Sequence, residues 1–144
     1  MQIPRTFLAL FFVLFLAAAG LQAHAADDSL YTALGGRAGI HRVVADLVQS
    51  VQLDARIRAS YDGVDMERLA VKLEEQFCEV AGGPCKYSGK DMKTIHEDLA
   101  INRAQFNALV ENLQQAMRNN DVPSRTQNRL LARLAPMHRE IVTK

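Results

Sequence analysis

The chain has 144 residues, of which 49% are hydrophobic and 23% charged, and its 17 Lys and Arg residues nearly balance 16 Asp and Glu residues. This length fits one domain, and the apolar fraction is too high for a disordered chain. The net charge of +1 argues against nucleic acid as a partner, since binding through phosphates requires an excess of cations.

The first 25 residues predict a secretory signal peptide. Arg5 precedes a continuous apolar run from Phe7 to Ala19, and Ala23-His24-Ala25 has the small-x-small form of a signal-peptidase site. A helix over this run would span about 20 Å, less than the hydrocarbon core of about 30 Å. We expect cleavage after Ala25, export to the bacterial periplasm and a mature domain over 26–144 without stable membrane insertion. The alternative is an uncleaved membrane anchor.

Apolar residues at helical spacing predict an all-α mature domain. No stretch alternates as a half-buried strand would, so no strands are expected. The four main helices are predicted at about 38–52, 65–81, 103–118 and 125–142.

Local signals predict where these helices begin and break. Asp65 and Asn102 are predicted N-caps, and Ser124 with Gln127 fits a capping box. Pro136 lies inside the last helical pattern and is expected to kink it.

The two cysteines lie close together, in the segment Phe77–Cys85 (FCEVAGGPC). Two sulfurs alone make a poor zinc site, and the spacing is not that of covalent haem attachment. An oxidising compartment favours a Cys78–Cys85 disulfide; the alternative is two unpaired thiols, with Cys78 packed in the core.

His96 is a candidate cofactor ligand in a short, weakly helical segment. Its neighbours Met92, Ile95, Leu99 and Ile101 are apolar, as suits the faces of a porphyrin, and neutral imidazole is a good ligand for haem iron. A metal-bound His usually donates its other N–H to a carbonyl, which a helical His finds one turn earlier. However, a single His in apolar surroundings is more often an ordinary packed residue.

Spaced motifs in the chain resemble those of the truncated globins, specifically group I, over about residues 29–142. They are Leu34-Gly35-Gly36, then GGPCKYSG at 82–89, then Met92 to Ile101 continuing to Phe106, and Leu134-Ala135-Pro136 in the last helix.

This resemblance implies a truncated globin fold, a two-over-two helical sandwich around haem b, with His96 as the proximal iron ligand. It places Tyr61 against the haem, Phe106 on the proximal side and Phe77 on the distal side. Ile95 and Ile101 are expected to contribute to the haem-binding walls.

The distal pocket departs from the family pattern. Many relatives hydrogen-bond dioxygen through a tyrosine where this chain has Val48, and the helical positions facing the ligand are Leu69 and Leu73. Gln76 is the remaining polar candidate. We therefore expect a mostly apolar distal site that releases oxygen quickly and that binds carbon monoxide and nitric oxide relatively well.

Lys72 falls where family members often place a cation near a haem propionate. A deprotonated lysine can instead ligate iron, as in some truncated globins, so a distal ligand role is the alternative. The solvated cation near a propionate is the more common use of such a lysine.

The resemblance implies a haem protein for reversible binding or transport of oxygen or another diatomic gas, with an electron donor that the sequence does not identify. One alternative is nitric oxide dioxygenation or peroxide reduction, for which the apolar pocket and the lack of a distal acid–base group are unfavourable. Another is a haem-free, exported helical interaction module. Fold likeness alone does not decide among them.

Overall fold

The computed structural model describes residues 29–144, so the predicted signal peptide lies outside the described residues. This part of the chain contains helices and no strand, as the sequence predicts. None of the helices within it is long and apolar enough to span a bilayer. The helices are α1 (Leu30–Ala33), α2 (Gly36–Leu53), α3 (Met66–Val80), α4 (Met92–His96), α5 (Arg103–Asn119), α6 (Ser124–Leu134) and α7 (His138–Ile141), with 3₁₀ turns at Arg58–Tyr61 and Ala135–Met137.

Helix α2 is the centre of the core and packs against both α3 and α5. Val43, Val44, Leu47 and Val51 recur along one face of this helix and are at most 2% exposed. Helix α6 contacts α3 and α5, so the pair α2–α3 lies over the pair α5–α6. This arrangement confirms the predicted two-over-two sandwich.

Short-range capping sets the starts of α3 and α5. The Asp65 side chain accepts a hydrogen bond from the backbone N–H of Arg68, and Asn102 forms a reciprocal capping box with Gln105. Each cap satisfies backbone donors that have no partner within the helix. These predicted N-caps are confirmed.

The predicted capping box at Ser124 is wrong. Pro123 occupies the N-cap position, and its carbonyl accepts bonds from the N–H groups of Thr126 and Gln127. Ser124 is therefore already helical, and its hydroxyl makes no cap hydrogen bond. The Gln127 side chain is buried and donates instead to the Val122 carbonyl, at 2.8 Å.

Pro136 interrupts the last helix as predicted. It lies in the 3₁₀ turn between α6 and α7, since proline lacks the N–H that a continuing helix needs. Helix α7 consequently packs against α4, and His138 makes an edge-to-face contact with Phe106, with ring centroids 4.8 Å apart. This break therefore positions the helix that carries His96.

Candidate functional site

The His96 ring is held by its own helix. Its Nδ1 atom lies 2.7 Å from the carbonyl oxygen of Met92, one turn earlier. A carbonyl only accepts hydrogen bonds, so in the neutral form of the imidazole Nδ1 carries the proton and Nε2 has the lone pair. The short helix is capped by Asp91, whose carboxylate accepts a hydrogen bond from the Thr94 N–H at 2.9 Å.

His96 shares a cavity of about 170 Å³ with side chains from α2 and α3. We refer to this space as the His96 cavity. Seven of the other predicted site residues line it, namely Val48, Tyr61, Leu69, Lys72, Leu73, Gln76 and Ile95. Its wall also includes residues that the sequence did not single out as site residues, namely Leu47, Val51, Tyr87, Met92, Leu109 and Ile141.

The remaining predicted residues line two neighbouring cavities that share walls with the first. Phe77 and Phe106 line an apolar space of about 330 Å³ between α3, α5 and α6. Ile101 and Phe106 line a smaller space of about 70 Å³, which also touches His96 and Tyr61. The fold thus gathers every predicted haem-contact residue around one group of adjoining cavities.

Most polar side chains on the wall of the His96 cavity already have partners. The Gln76 amide nitrogen lies 3.3 Å from the Met92 sulfur and 3.6 Å from the Met137 sulfur. The Tyr87 hydroxyl donates to the Lys90 carbonyl at 2.8 Å.

Lys72 belongs to a polar cluster at the edge of the cavity. Its ammonium donates to Glu75 at 3.0 Å and to the Ser88 hydroxyl at 2.6 Å. The Ser88 N–H and hydroxyl both donate to the same Glu75 oxygen. The Lys72 hydrogen bond, followed by those from Ser88, lowers the pKa of Glu75 to about 2, so the cluster is an ion pair at neutral pH.

Tyr61 is the polar side chain of the wall that has no hydrogen-bond partner within residues 29–144. Burial raises the pKa of its phenol to about 12, because a low-dielectric environment disfavours the phenolate. Tyr61 therefore stays a neutral hydroxyl at physiological pH.

Only some of the wall residues that the sequence analysis did not single out lie in a recognisable motif. Tyr87 lies inside the GGPCKYSG motif, and Met92 begins the segment that contains His96. Leu47, Leu109 and Ile141 were visible only as core positions of apolar helix faces, because periodicity does not distinguish a packed residue from a cavity wall.

Comparisons with known proteins agree with this architecture. The bacterial-like globin family model matches residues 29–143. The group 1 truncated hemoglobin GlbN of Mycolicibacterium paratuberculosis is 32% identical over 115 residues, which are 80% of this chain and 85% of that protein. The crystal structure of truncated hemoglobin from Tetrahymena pyriformis in the Fe(III) form superposes with a TM-score of 0.77 at 23% identity, covering 80% of this chain and 98% of that one.

The chain belongs to the bacterial-like globins and, within them, to the group 1 truncated hemoglobins. This family consists of haem proteins that bind diatomic gases such as dioxygen.

The residues around the cavity fit a haem. His96 offers an unprotonated ring nitrogen, and the neighbouring walls are mainly aliphatic and aromatic. Ile95 and Leu99, on either side of His96 in sequence, leave 46% and 53% of their surfaces exposed. Large apolar side chains left open at a cavity mouth are what a flat hydrophobic cofactor would cover.

The buried phenol predicts an alkaline dependence of stability. Because the pKa of Tyr61 is about 12 in the fold and about 10 when unfolded, the unfolded state alone ionises between these values. Below pH 10 this ionisation leaves the free energy of unfolding unchanged. As pH rises from 10 towards 12, the free energy of unfolding falls by at most about 2–3 kcal/mol.

Urea unfolding at pH 9 and pH 11.5 tests this dependence in the wild type and in Tyr61→Phe. The wild type should lose more free energy of unfolding over this interval than the variant does. Equal losses in both proteins would contradict the assignment.

Proposed function

We propose that this chain binds haem b through His96 and uses it to bind dioxygen, or another diatomic gas, reversibly. The observation that carries the proposal is the 2.7 Å contact between His96 Nδ1 and the Met92 carbonyl. It selects the tautomer whose Nε2 can coordinate a metal, and it orients the ring as the hydrogen bond from the other ring nitrogen does in metal-bound histidines. The family membership supports the same cofactor and ligand class.

Each group of residues has a distinct role in this proposal. Ferrous haem, when bound, supplies a metal position at which a diatomic gas binds reversibly. Phe106 and Ile101 provide apolar contacts on the His96 side, while Val48, Leu69 and Leu73 keep water out of the space where the gas is held. Tyr61 and Phe77 add aromatic surface.

We assign Lys72 to the edge of the site as a cation for a haem propionate. The Lys72 ammonium pairs with Glu75 and donates a hydrogen bond to Ser88, and a protonated amine has no lone pair with which to coordinate a metal. This arrangement favours the cation over the alternative of a distal ligand.

The composition of the cavity favours gas binding over peroxide reduction. Among the described residues that line the His96 cavity there is no Arg and no second His, whereas peroxide chemistry usually requires a distal acid–base group. We assign the reduction of the iron to a separate electron donor.

The distal wall supports weak retention of dioxygen. Val48 offers no donor, and the Gln76 amide is directed to two methionine sulfurs. A hydrogen bond to a ligand carrying partial negative charge contributes about 1.5–3 kcal/mol. Without such a hydrogen bond, the affinity for dioxygen is lower by about one to two orders of magnitude.

Replacing the proposed proximal ligand tests the haem proposal. His96→Ala should lose the Soret band that the wild type develops with hemin, and added imidazole should restore part of it. His41→Ala is the matched control, because His41 is exposed and pairs with Glu74 at 2.8 Å. Equal Soret bands in His96→Ala and the wild type would contradict the assignment.

Dioxygen release tests the composition of the distal wall. The wild type should release dioxygen quickly in stopped-flow measurements, and Val48→Tyr should slow release by about ten- to a hundredfold if the new hydroxyl supplies one hydrogen bond. Gln76→Ala should change little. Slow release in the wild type that persists in Gln76→Ala would refute an apolar distal site.

We also propose that the protein is exported to the periplasm, on the basis of residues 1–25. After expression in a bacterium with an intact export system, the N-terminus of the periplasmic protein should be Ala26. Retention in the cytoplasm with Met1 intact would contradict export. Recovery of the uncleaved chain in the membrane fraction would instead support the anchor alternative.

A further inference from the structure

A disulfide joins the end of α3 to the following loop, at a second cleft. Cys78 and Cys85 are bonded to each other, and both line a cleft of about 340 Å³ that shares no lining residue with the His96 cavity. Cys78 is only 2% exposed, whereas Cys85 is half-buried. Of the two cysteines, Cys85 is therefore the more exposed to an incoming thiol.

A cation lies beside the more exposed of the two sulfurs. The guanidinium of Arg37 lies 3.8 Å from the Cys85 sulfur, and Lys86 lines the same cleft. Neither cation has an acidic partner within residues 29–144. The acidic residues of the cleft are already engaged, since Glu74 binds His41 and Glu75 binds Lys72 and Ser88.

The two cysteines therefore differ in burial, and the sulfur of Cys85 lies beside a cation. A nearby cation stabilises a thiolate and makes a cysteine reactive, whereas burial in apolar surroundings makes it inert. The core around Cys78 is close-packed, since a Cβ added at Gly83 would lie 2.7 Å from its sulfur. An accessible cysteine beside a cation, paired with a buried one, provides an exchanging and a resolving sulfur.

We infer that the Cys78–Cys85 pair is a thiol–disulfide exchange site for small anionic thiols, with Cys85 as the exchanging sulfur and Cys78 as the sulfur that is expelled when the bridge opens and that resolves the adduct when the bridge re-forms. This activity does not depend on the haem site.

The exchange proceeds in two steps that balance. A thiolate attacks the Cys85 sulfur, forms a mixed disulfide and expels Cys78 as a thiolate, which takes up a proton. A second thiolate then attacks the sulfur of the bound thiol, releases the small disulfide and leaves Cys85 as a thiolate beside Arg37. Two thiols are oxidised, and the protein disulfide gains two electrons to become a dithiol.

The first test uses the full-length mature protein and reduced glutathione, a thiol that carries two carboxylates. Acid quenching followed by peptide mapping should place the mixed disulfide on Cys85. Mixed disulfide found mainly on Cys78 would overturn the assignment of the exchanging sulfur. Exchange that requires a denaturant would overturn the inference as a whole and identify an inert structural bridge.

Charge variants test the role of Arg37. Arg37→Gln should slow exchange with glutathione by about fivefold, the size expected for removing one charge about 4 Å away in water. Cysteamine, a cationic thiol, should be slowed less when rates are compared per thiolate. Arg42→Gln, an exposed arginine on the same helix, is the matched control and should leave both rates unchanged. Equal effects of Arg37→Gln and Arg42→Gln on the exchange rates would contradict the proposed role of the Arg37 guanidinium.

Single-cysteine variants separate the two sulfurs. With glutathione disulfide, Cys78→Ser should accumulate a stable adduct on Cys85, while Cys85→Ser should react far more slowly. Similar rates in both variants would contradict the assignment. The mapping of the wild-type intermediate does not require either variant to fold.

Discussion

The site depends on a hydrogen bond inside a very short helix, between His96 Nδ1 and the Met92 carbonyl. An isolated helix of this length is unstable in water, so α4 owes its geometry to the Asp91 cap and to packing against α7. Helix α7 is available for this contact because Pro136 breaks the preceding helix. The orientation of the imidazole is therefore a consequence of tertiary packing.

The loop between α3 and α4 links the two sites of the molecule. Ser88 holds Glu75 and Lys72 at the edge of the His96 cavity, while Cys85 ties the same loop to α3 beside the second cleft. Because Lys72, Glu75 and Ser88 bind one another, their polar groups are held at the edge of the cavity. The loop thus holds this polar cluster at the edge of a mainly apolar cavity and carries the more exposed of the two cysteines on its other side.

Pairing of polar groups distinguishes this cavity from an ordinary gap in a helical core. Gln76 and Tyr87 both carry donors on its wall, but sulfur atoms and a carbonyl oxygen occupy them. The Tyr61 hydroxyl has no partner within the described residues 29–144, and it stays neutral because burial raises its pKa to about 12. A cavity with one basic nitrogen and few available donors favours an apolar ligand and coordination chemistry over acid–base catalysis.

The sequence alone determined the features that depend on neighbouring residues. The helical class, the caps at Asp65 and Asn102 and the break at Pro136 follow from interactions within a few positions of each other. The cap predicted at Ser124 is wrong because Pro123 occupies the N-cap position. Family motifs located His96 and the residues gathered around it.

Only the tertiary structure decided how those residues are used. The Gln76 amide meets the sulfur of Met137, which lies 61 positions away, and no periodic pattern encodes such a contact. The hydrogen bond from Lys72 to Ser88 and the approach of Arg37 to Cys85 also join residues that are distant in the sequence, 16 and 48 positions apart. Composition and spacing place side chains on helix faces, but which polar groups find partners depends on how those faces meet in the packed molecule.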